Sequence, residues 1–165
     1  MSKIAVVQNP PVLLNRERTI EQAVSLVAEV AAAGAELVIF PETFIPGYPI
    51  WMWRLRPGAE MSLTNELYSR LFDNAVNLEA DDLAPLQKAA KERSVTVVCG
   101  MNEREGAVSR GTLFNTVVVI GADGEIINRH RKLMPTNPER MVHGFGDASG
   151  LRVIDTPVGR IGTLL

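Results

Sequence analysis

Leu37-Val38-Ile39-Phe40, closed by Pro41 and followed at once by Glu42-Thr43-Phe44, is a short continuous apolar run. A strand covered on both faces reads this way. Upstream, Ile4-Ala5-Val6-Val7 has the same character and ends at Pro10-Pro11. Between the two runs Ile20, Val24, Val27 and Ala31 recur at helical spacing, and Gly34 supplies a stop. Strand, helix and strand in this order make a βαβ unit, whose strands are expected to lie parallel and adjacent. Downstream, residues 47–77 form a connection rich in Pro and aromatics, with a helix expected in its second half. Asp81 or Asp82 is placed to cap a further helix carrying Leu83, Leu86 and Ala90 on one face. Val95–Cys99 and Leu113–Ile120 read as a third and a fourth strand. Asp123-Gly124 is a hairpin turn into Glu125–Arg129. The polar stretch His130–Ser149 is too long for a simple connection and is expected to be functional. Leu151–Thr156 and Arg160–Leu165 read as strands around Pro157-Val158-Gly159. The class is α/β, with antiparallel strands following the first helices.

Composition narrows the function. The 165 residues, 46% hydrophobic and 22% charged, fit one globular domain over 1–165. A net charge of -2 gives no basic field for nucleic acid and no polybasic patch for a membrane surface. No apolar run approaches the roughly 20 residues of a membrane-spanning helix. Met1-Ser2-Lys3 leads straight into a strand, without the pattern of a signal peptide. The single cysteine, Cys99, excludes an internal disulfide framework and suits a reducing cytosol, so the expected location is cytoplasmic. The last residues, Ile161-Gly162-Thr163-Leu164-Leu165, form an apolar run with no turn or cap, which leads us to expect a domain truncated at its C-terminal end.

Few residues are placed to carry chemistry. Glu42 directly follows a strand, where sites of open α/β sheets form, and in an apolar setting its raised pKa would suit a general base. Taken alone, a solvated loop glutamate is the commoner case. Lys132 stands in Arg129-His130-Arg131-Lys132-Leu133, a basic run that by default forms a solvated face. One lysine turned inward could still stabilise a developing anion. Glu139, in Pro135-Thr136-Asn137-Pro138-Glu139-Arg140, is unremarkable by itself. Cys99 lies in an apolar β-branched run, the setting of an inert core thiol, and is rejected as a nucleophile. His130 and His143 lack ligand-like spacing, so no metal site is expected. Gly144-Phe145-Gly146-Asp147-Ala148-Ser149-Gly150 does not have the spacing or context of a dinucleotide loop.

Taken in order, these segments resemble the nitrilase superfamily, its nitrilase branch in particular. Val38–Phe44 is similar to the motif that carries the family's glutamate base. His130-Arg131-Lys132-Leu133-Met134-Pro135-Thr136 is similar to the motif whose lysine stabilises the tetrahedral intermediates. Pro135–Arg140 with Gly144 and Gly146-Asp147 resembles the stretch that holds a second catalytic carboxylate, here Glu139. Gly159-Arg160-Ile161-Gly162 leads into a third motif, whose nucleophilic cysteine is expected immediately after Leu165. Two residues depart from the pattern: His143 stands where many nitrilases carry tryptophan, and Ala148 where glycine is common.

The resemblance implies the N-terminal half of a four-layer α-β-β-α sandwich. It also implies hydrolysis of an organic nitrile to a carboxylic acid and ammonia through a cysteine thioimidate and acyl-enzyme. Glu42 would be the base, Lys132 the stabiliser, and Glu139 the group holding Lys132. No metal or organic cofactor is implied. Pro46-Gly47-Tyr48-Pro49-Ile50-Trp51-Met52-Trp53 resembles the branch as well, and the expected substrate contacts are Tyr48, Trp51 and His143. For both tryptophans the competing reading is packing or subunit contact. The expected assembly, by analogy, is a homo-oligomer, a dimer or spiral filament. Rival readings are a sister amidase, carbamoylase or cyanide-degrading enzyme, and a non-catalytic half-domain that acts by associating with the remaining chain.

Overall fold

The computed structural model describes residues 2–56, 58–105 and 111–165. The N-terminal unit is the expected one: β1 (Ile4–Val6), α1 (Arg16–Ala32) and β2 (Leu37–Ile39). At the start of α1 the Asn15 side chain accepts the Arg18 N–H, satisfying one of the donors that a helix start leaves free. Past its end Gly34 takes φ +88°, which a residue with a Cβ resists. β1 and β2 then pair in parallel, with Ile4 opposite Leu37.

Two more helices, α2 (Met61–Asp73) and α3 (Ala84–Arg93), precede β3 (Thr96–Arg104), β4 (Leu113–Ile120) and β5 (Ile126–Arg131). The expected cap of α3 needs correction. Leu83 holds the cap position with no side-chain bond. Asp82 instead accepts the Asn77 N–H and pairs with Arg16 at 3.0 Å, a charge-assisted bond stronger than a neutral cap. β3 also runs further than its apolar residues suggest. Asn102, Glu103 and Arg104 continue the ladder opposite Asn115, Phe114 and Leu113. Buried Glu103 is made tolerable there by the Thr116 hydroxyl and the Arg131 guanidinium.

The strands lie in the order β1-β2-β3-β4-β5, parallel from β1 to β3 and antiparallel thereafter. β6 (Val153–Thr156) and β7 (Gly159–Gly162) form a separate antiparallel pair, β7 being shorter than the Arg160–Leu165 run. Alternation along each strand divides the side chains between two faces. Val38, Val97, Cys99, Val118 and Ile120 pack with Ile20 and Val27 of α1 and Leu86 and Ala90 of α3. Leu37, Val98, Val117 and Val119 meet Ile154, Val158 and Ile161 of the second pair. The described residues thus stack as helices, large sheet and small sheet, the α, β and β layers of the expected sandwich. Burial of each such aliphatic side chain stabilises by roughly 1.5–3 kcal/mol.

One irregularity positions the site. The Phe40 N–H still bonds to the Val98 carbonyl, but the chain then leaves the sheet at Pro41–Phe44. It returns at Ile45, which donates to the Gly100 carbonyl and accepts the Asn102 N–H. The excursion lies directly on Gly100: a Cβ there would stand 2.4 Å from the Pro41 carbonyl oxygen and 2.7 Å from the Glu42 Cα. A glycine at this point of β3 is therefore what allows Glu42 to be held over the sheet edge.

Gly100→Ala is expected to destabilise the full-length protein by about 2–3 kcal/mol, since backbone must shift to admit the methyl group. Denaturant titration measures this, and an unchanged midpoint would show that the loop has other room. Cys99 has no exposed surface, and burial pushes its thiol up to about 12. Pulsed alkylation followed by peptide mapping of the folded full-length protein is expected to leave Cys99 unlabelled; rapid labelling would contradict its inert core role.

Candidate active site

Lys132 immediately follows β5, and its N–H bonds to the Asn115 carbonyl at 2.8 Å, so it still follows the sheet. Its ammonium lies 2.9 Å from Glu42 Oε1 and 2.9 Å from Glu139 Oε2. Glu42 comes from the excursion over Gly100. Glu139 comes from a short 3₁₀ helix, Asn137–Met141, where it closes a capping box by accepting the Thr136 N–H at 2.7 Å. The polar stretch lies down over β5 because Gly146 donates to the Lys132 carbonyl, and a Cβ at Gly146 would meet the Arg131 carbonyl oxygen at 2.4 Å.

Further donors complete the cluster. Asn115 Nδ2 donates to Glu42 Oε1 at 2.6 Å, the same oxygen that Lys132 holds. Among the described residues none donates to Glu42 Oε2. Tyr48 donates its hydroxyl proton to Glu139 Oε1 at 2.8 Å and accepts the Trp53 indole N–H at 2.9 Å. The setting of Glu42 is thus not the apolar one expected from the strand before it. Two polar donors reach the carboxylate, and its side chain is 41% exposed against 5% for Glu139.

The charges follow from this packing. Burial works to lower the Lys132 pKa, but the hydrogen bonds and charges of Glu42 and Glu139 outweigh it and hold the ammonium above its ordinary value. Burial works to raise Glu139, yet the Thr136 N–H, Lys132 and Tyr48 together hold it below the ordinary carboxylate value. For Tyr48 burial dominates and raises the phenol, with Glu139 acting in the same direction and Trp53 against it. His143 is buried and pushed down to about 4, chiefly by desolvation. It is neutral at pH 7.

The predicted site residues are therefore not all in one place. Glu42, Lys132, Glu139 and Tyr48 converge. Trp51 does not join them; it packs with Met52, Leu71, Ala75, Leu113 and Val142. Trp53, two residues on, reaches the cluster through Tyr48. His143 lies behind the cluster, its Nε2 bonded to Asn102 Oδ1 at 2.8 Å. The sequence reading missed Asn115 and Asn102. The available signal was polarity out of place, since each is a buried amide within a ladder of largely apolar pairs. Among the described residues no group of three or more His, Cys, Asp or Glu side chains is arranged to hold a metal ion.

Glu42 also borders a cavity of about 550 Å³ between the two sheets, lined by Ile39, Phe40, Gly100, Ile161 and Leu165 among others. With Glu42 bordering such a cavity, the fixed ammonium can stabilise an anion, and the carboxylate can accept a proton.

Comparison with known proteins identifies the family. An aliphatic nitrilase of Rhodococcus rhodochrous is 41% identical over 162 residues, 98% of this chain and 42% of that enzyme. An arylacetonitrilase of Aspergillus kawachii is 38% identical over 164 residues, 98% of this chain and 47% of that enzyme. The chain thus spans a little under half the length of these curated relatives. In fold it is similar to a carbon–nitrogen hydrolase from Helicobacter pylori G27, with a TM-score of 0.70, 22% identity, and coverage of 99% of this chain and 51% of that one. An amidase from Nesterenkonia sp. gives a TM-score of 0.66 at 17% identity, covering 99% and 54%. The sequence profile of the carbon–nitrogen hydrolases matches residues 3–165, and the chain belongs to that family.

Proposed function

We propose that the protein of which this chain is part hydrolyses an organic nitrile to a carboxylic acid and ammonia, with Glu42, Lys132 and Glu139 in its active site. The observation that carries the proposal is the Lys132 ammonium held at 2.9 Å by both carboxylates, one of which, Glu42, borders the intersheet cavity. The identity to an aliphatic nitrilase and an arylacetonitrilase supports a nitrile as substrate. The attacking thiol belongs to the position after Leu165. In support, Leu165 and Glu42 line the same cavity.

In this reading Glu42 Oε2, the oxygen free of hydrogen bonds among the described residues, takes the thiol proton as sulfur adds to the nitrile carbon. The nitrogen becomes anionic beside Lys132 and takes that proton from Glu42, giving a thioimidate and restoring the carboxylate. Water deprotonated by Glu42 adds to that carbon, and ammonia leaves carrying both protons of the water, one handed on by Glu42 and one from the new hydroxyl group. A second water then cleaves the thioester to the acid and restores the thiol. Asn115 and Lys132 fix Glu42 through Oε1, and Glu139 holds Lys132 while Tyr48 steadies Glu139. The protein carries out these steps in the cytoplasm as a homo-oligomer.

A panel of aliphatic and arylaceto nitriles, their amides and cyanide, scored for ammonia and acid, tests the proposal on the full-length protein. Nitrile turnover is expected to dominate. Faster release from the amides would make it an amidase, and release from none would favour the non-catalytic reading. Glu42→Gln and Lys132→Met are each expected to lower kcat by about 10²–10⁴-fold. The 165-residue chain alone, whose single thiol is the core residue Cys99, is expected to release none.

The pairing of Lys132 with Glu139 also fixes a pH window. Glu139 has a depressed native pKa, so its contribution is complete above its ordinary 4.5 and is lost as pH falls through the native value. Lys132 has a raised native pKa, so its contribution is complete below 10.5 and is lost as pH rises through the native value. Lys132→Met, which leaves Glu139 buried and unpaired, is expected to cost on the order of 3 kcal/mol. Measured by unfolding, that difference should be full at about pH 8 and shrink both as pH falls and Glu139 takes up a proton in the variant, and as pH rises through the native Lys132 value. A difference undiminished in acid, down to about pH 3, would show that the pair is not charged as described.

A further inference from the structure

We propose that His143 and Asn102 are positioning residues, a neutral buried clasp that sets the distance between the Glu42 loop and the Glu139 turn. The inference rests on the active-site reading above and goes beyond it. It also moves His143 away from the substrate contact expected of it.

The clasp is built from both sides. Asn102 is fully buried in β3. Its Nδ2 donates to the Gly47 carbonyl at 2.9 Å and to the Ile45 carbonyl at 3.3 Å, and its N–H donates to the Ile45 carbonyl at 2.7 Å. These are the residues by which the chain carrying Glu42 re-enters the sheet, and Gly47 directly precedes Tyr48. With its amide nitrogen so committed, Asn102 Oδ1 is an acceptor, and His143 Nε2 must carry the proton in the 2.8 Å bond between them. His143 is held in turn by its own N–H, which bonds to the Glu139 carbonyl at 2.7 Å, and the following residue, Gly144, donates to the Leu113 carbonyl at 2.8 Å. His143 Nδ1 is buried with no partner among the described residues, so the ring has one bond to make and makes it to Asn102.

Two carboxylates must grip one ammonium from separate segments. Neither segment is a regular helix or strand: one is a loop between sheet contacts, the other a single 3₁₀ turn. Lys132 can follow either, so nothing in the ion pairs alone keeps Glu42 Oε2 aligned with the reacting carbon. The His143–Asn102 bond joins the Glu139 turn, through β3, to the chain that carries Glu42, by a contact that carries no charge of its own. A displacement of about 1 Å in such a site costs on the order of a hundredfold in rate.

The test uses the full-length protein and three variants at one position. In His143→Gln the amide nitrogen falls near the position of Nε2 and can still donate to Asn102. In His143→Asn it is too short to reach, and His143→Leu has no donor. The expected result is kcat within about threefold of wild type for His143→Gln, a fall of at least tenfold for His143→Asn and His143→Leu, and KM within about twofold throughout. Should His143→Leu fail to fold by circular dichroism, the comparison of His143→Gln with His143→Asn decides, since both are polar and neutral. Equal kcat for those two, or a change confined to KM, overturns the clasp and returns His143 to packing or substrate contact. If wild type itself turns over neither nitrile nor amide, the active-site reading fails, which is a separate outcome.

Discussion

Everything around Lys132 is arranged so that one ammonium can be shared by two carboxylates. At 2.9 Å each attraction is roughly 6 kcal/mol at an effective dielectric of 20, before desolvation is charged against it. That charge is unequal. Glu139 is 5% exposed and Glu42 41%, so solvent screens the Glu42 contact far more. The Glu139 contact is the less screened of the two. Glu42 keeps enough exposure to exchange protons, with one oxygen held and the other open. The asymmetry suits the two chemically identical residues to the different tasks proposed for them.

Local structure serves this constraint at several points. Gly100 gives the Glu42 loop its seat, and Gly146 lets the polar stretch cover β5. Asn115 reaches Glu42 from β4. The capping box at Thr136 fixes the Glu139 carboxylate through the backbone of its own turn, so its orientation does not depend on Lys132 alone. Each is a small, specific departure from regular sheet structure. The regular part, a sheet with apolar side chains on both faces, supplies the stiffness against which these departures are defined.

Most of the fold was legible because the strands are buried on both faces and read as plain apolar runs. The parallel β1–β2 pair followed from the helix between them, and the β4–β5 hairpin from Asp123-Gly124, where Gly124 has φ +86°. What was hidden was hidden by polarity. The end of β3 is Asn102-Glu103-Arg104, which reads as a loop until Thr116 and Arg131 are known to lie beside it. Asp82 reads as a cap until Arg16 is known to lie opposite it. The tryptophans show a different limit. Trp51 and Trp53 lie two residues apart in a 3₁₀ helix, on different sides of it, and spacing cannot say which side faces the core. The phase is set by contacts with Leu71 and Leu113, which are distant in sequence.

The same alternation that makes strands legible also separates the available thiol from the chemistry. Val98 and Gly100 face the intersheet cavity that Glu42 borders, so Cys99 between them must face the helices. No rotamer change crosses a sheet, and a one-residue slip of β3 would expose its apolar residues to the wrong layer along its whole length. A thiol able to give its proton to Glu42 must therefore be presented from the cavity side. The residues facing Glu42 across that cavity are those of the second strand pair and its continuation, Ile161 to Leu165. In the proposed mechanism base and ammonium are held at the edge of one sheet, the second carboxylate by the 3₁₀ turn over it, and the nucleophile comes from the other sheet, so closing the sandwich and assembling the site would be one event.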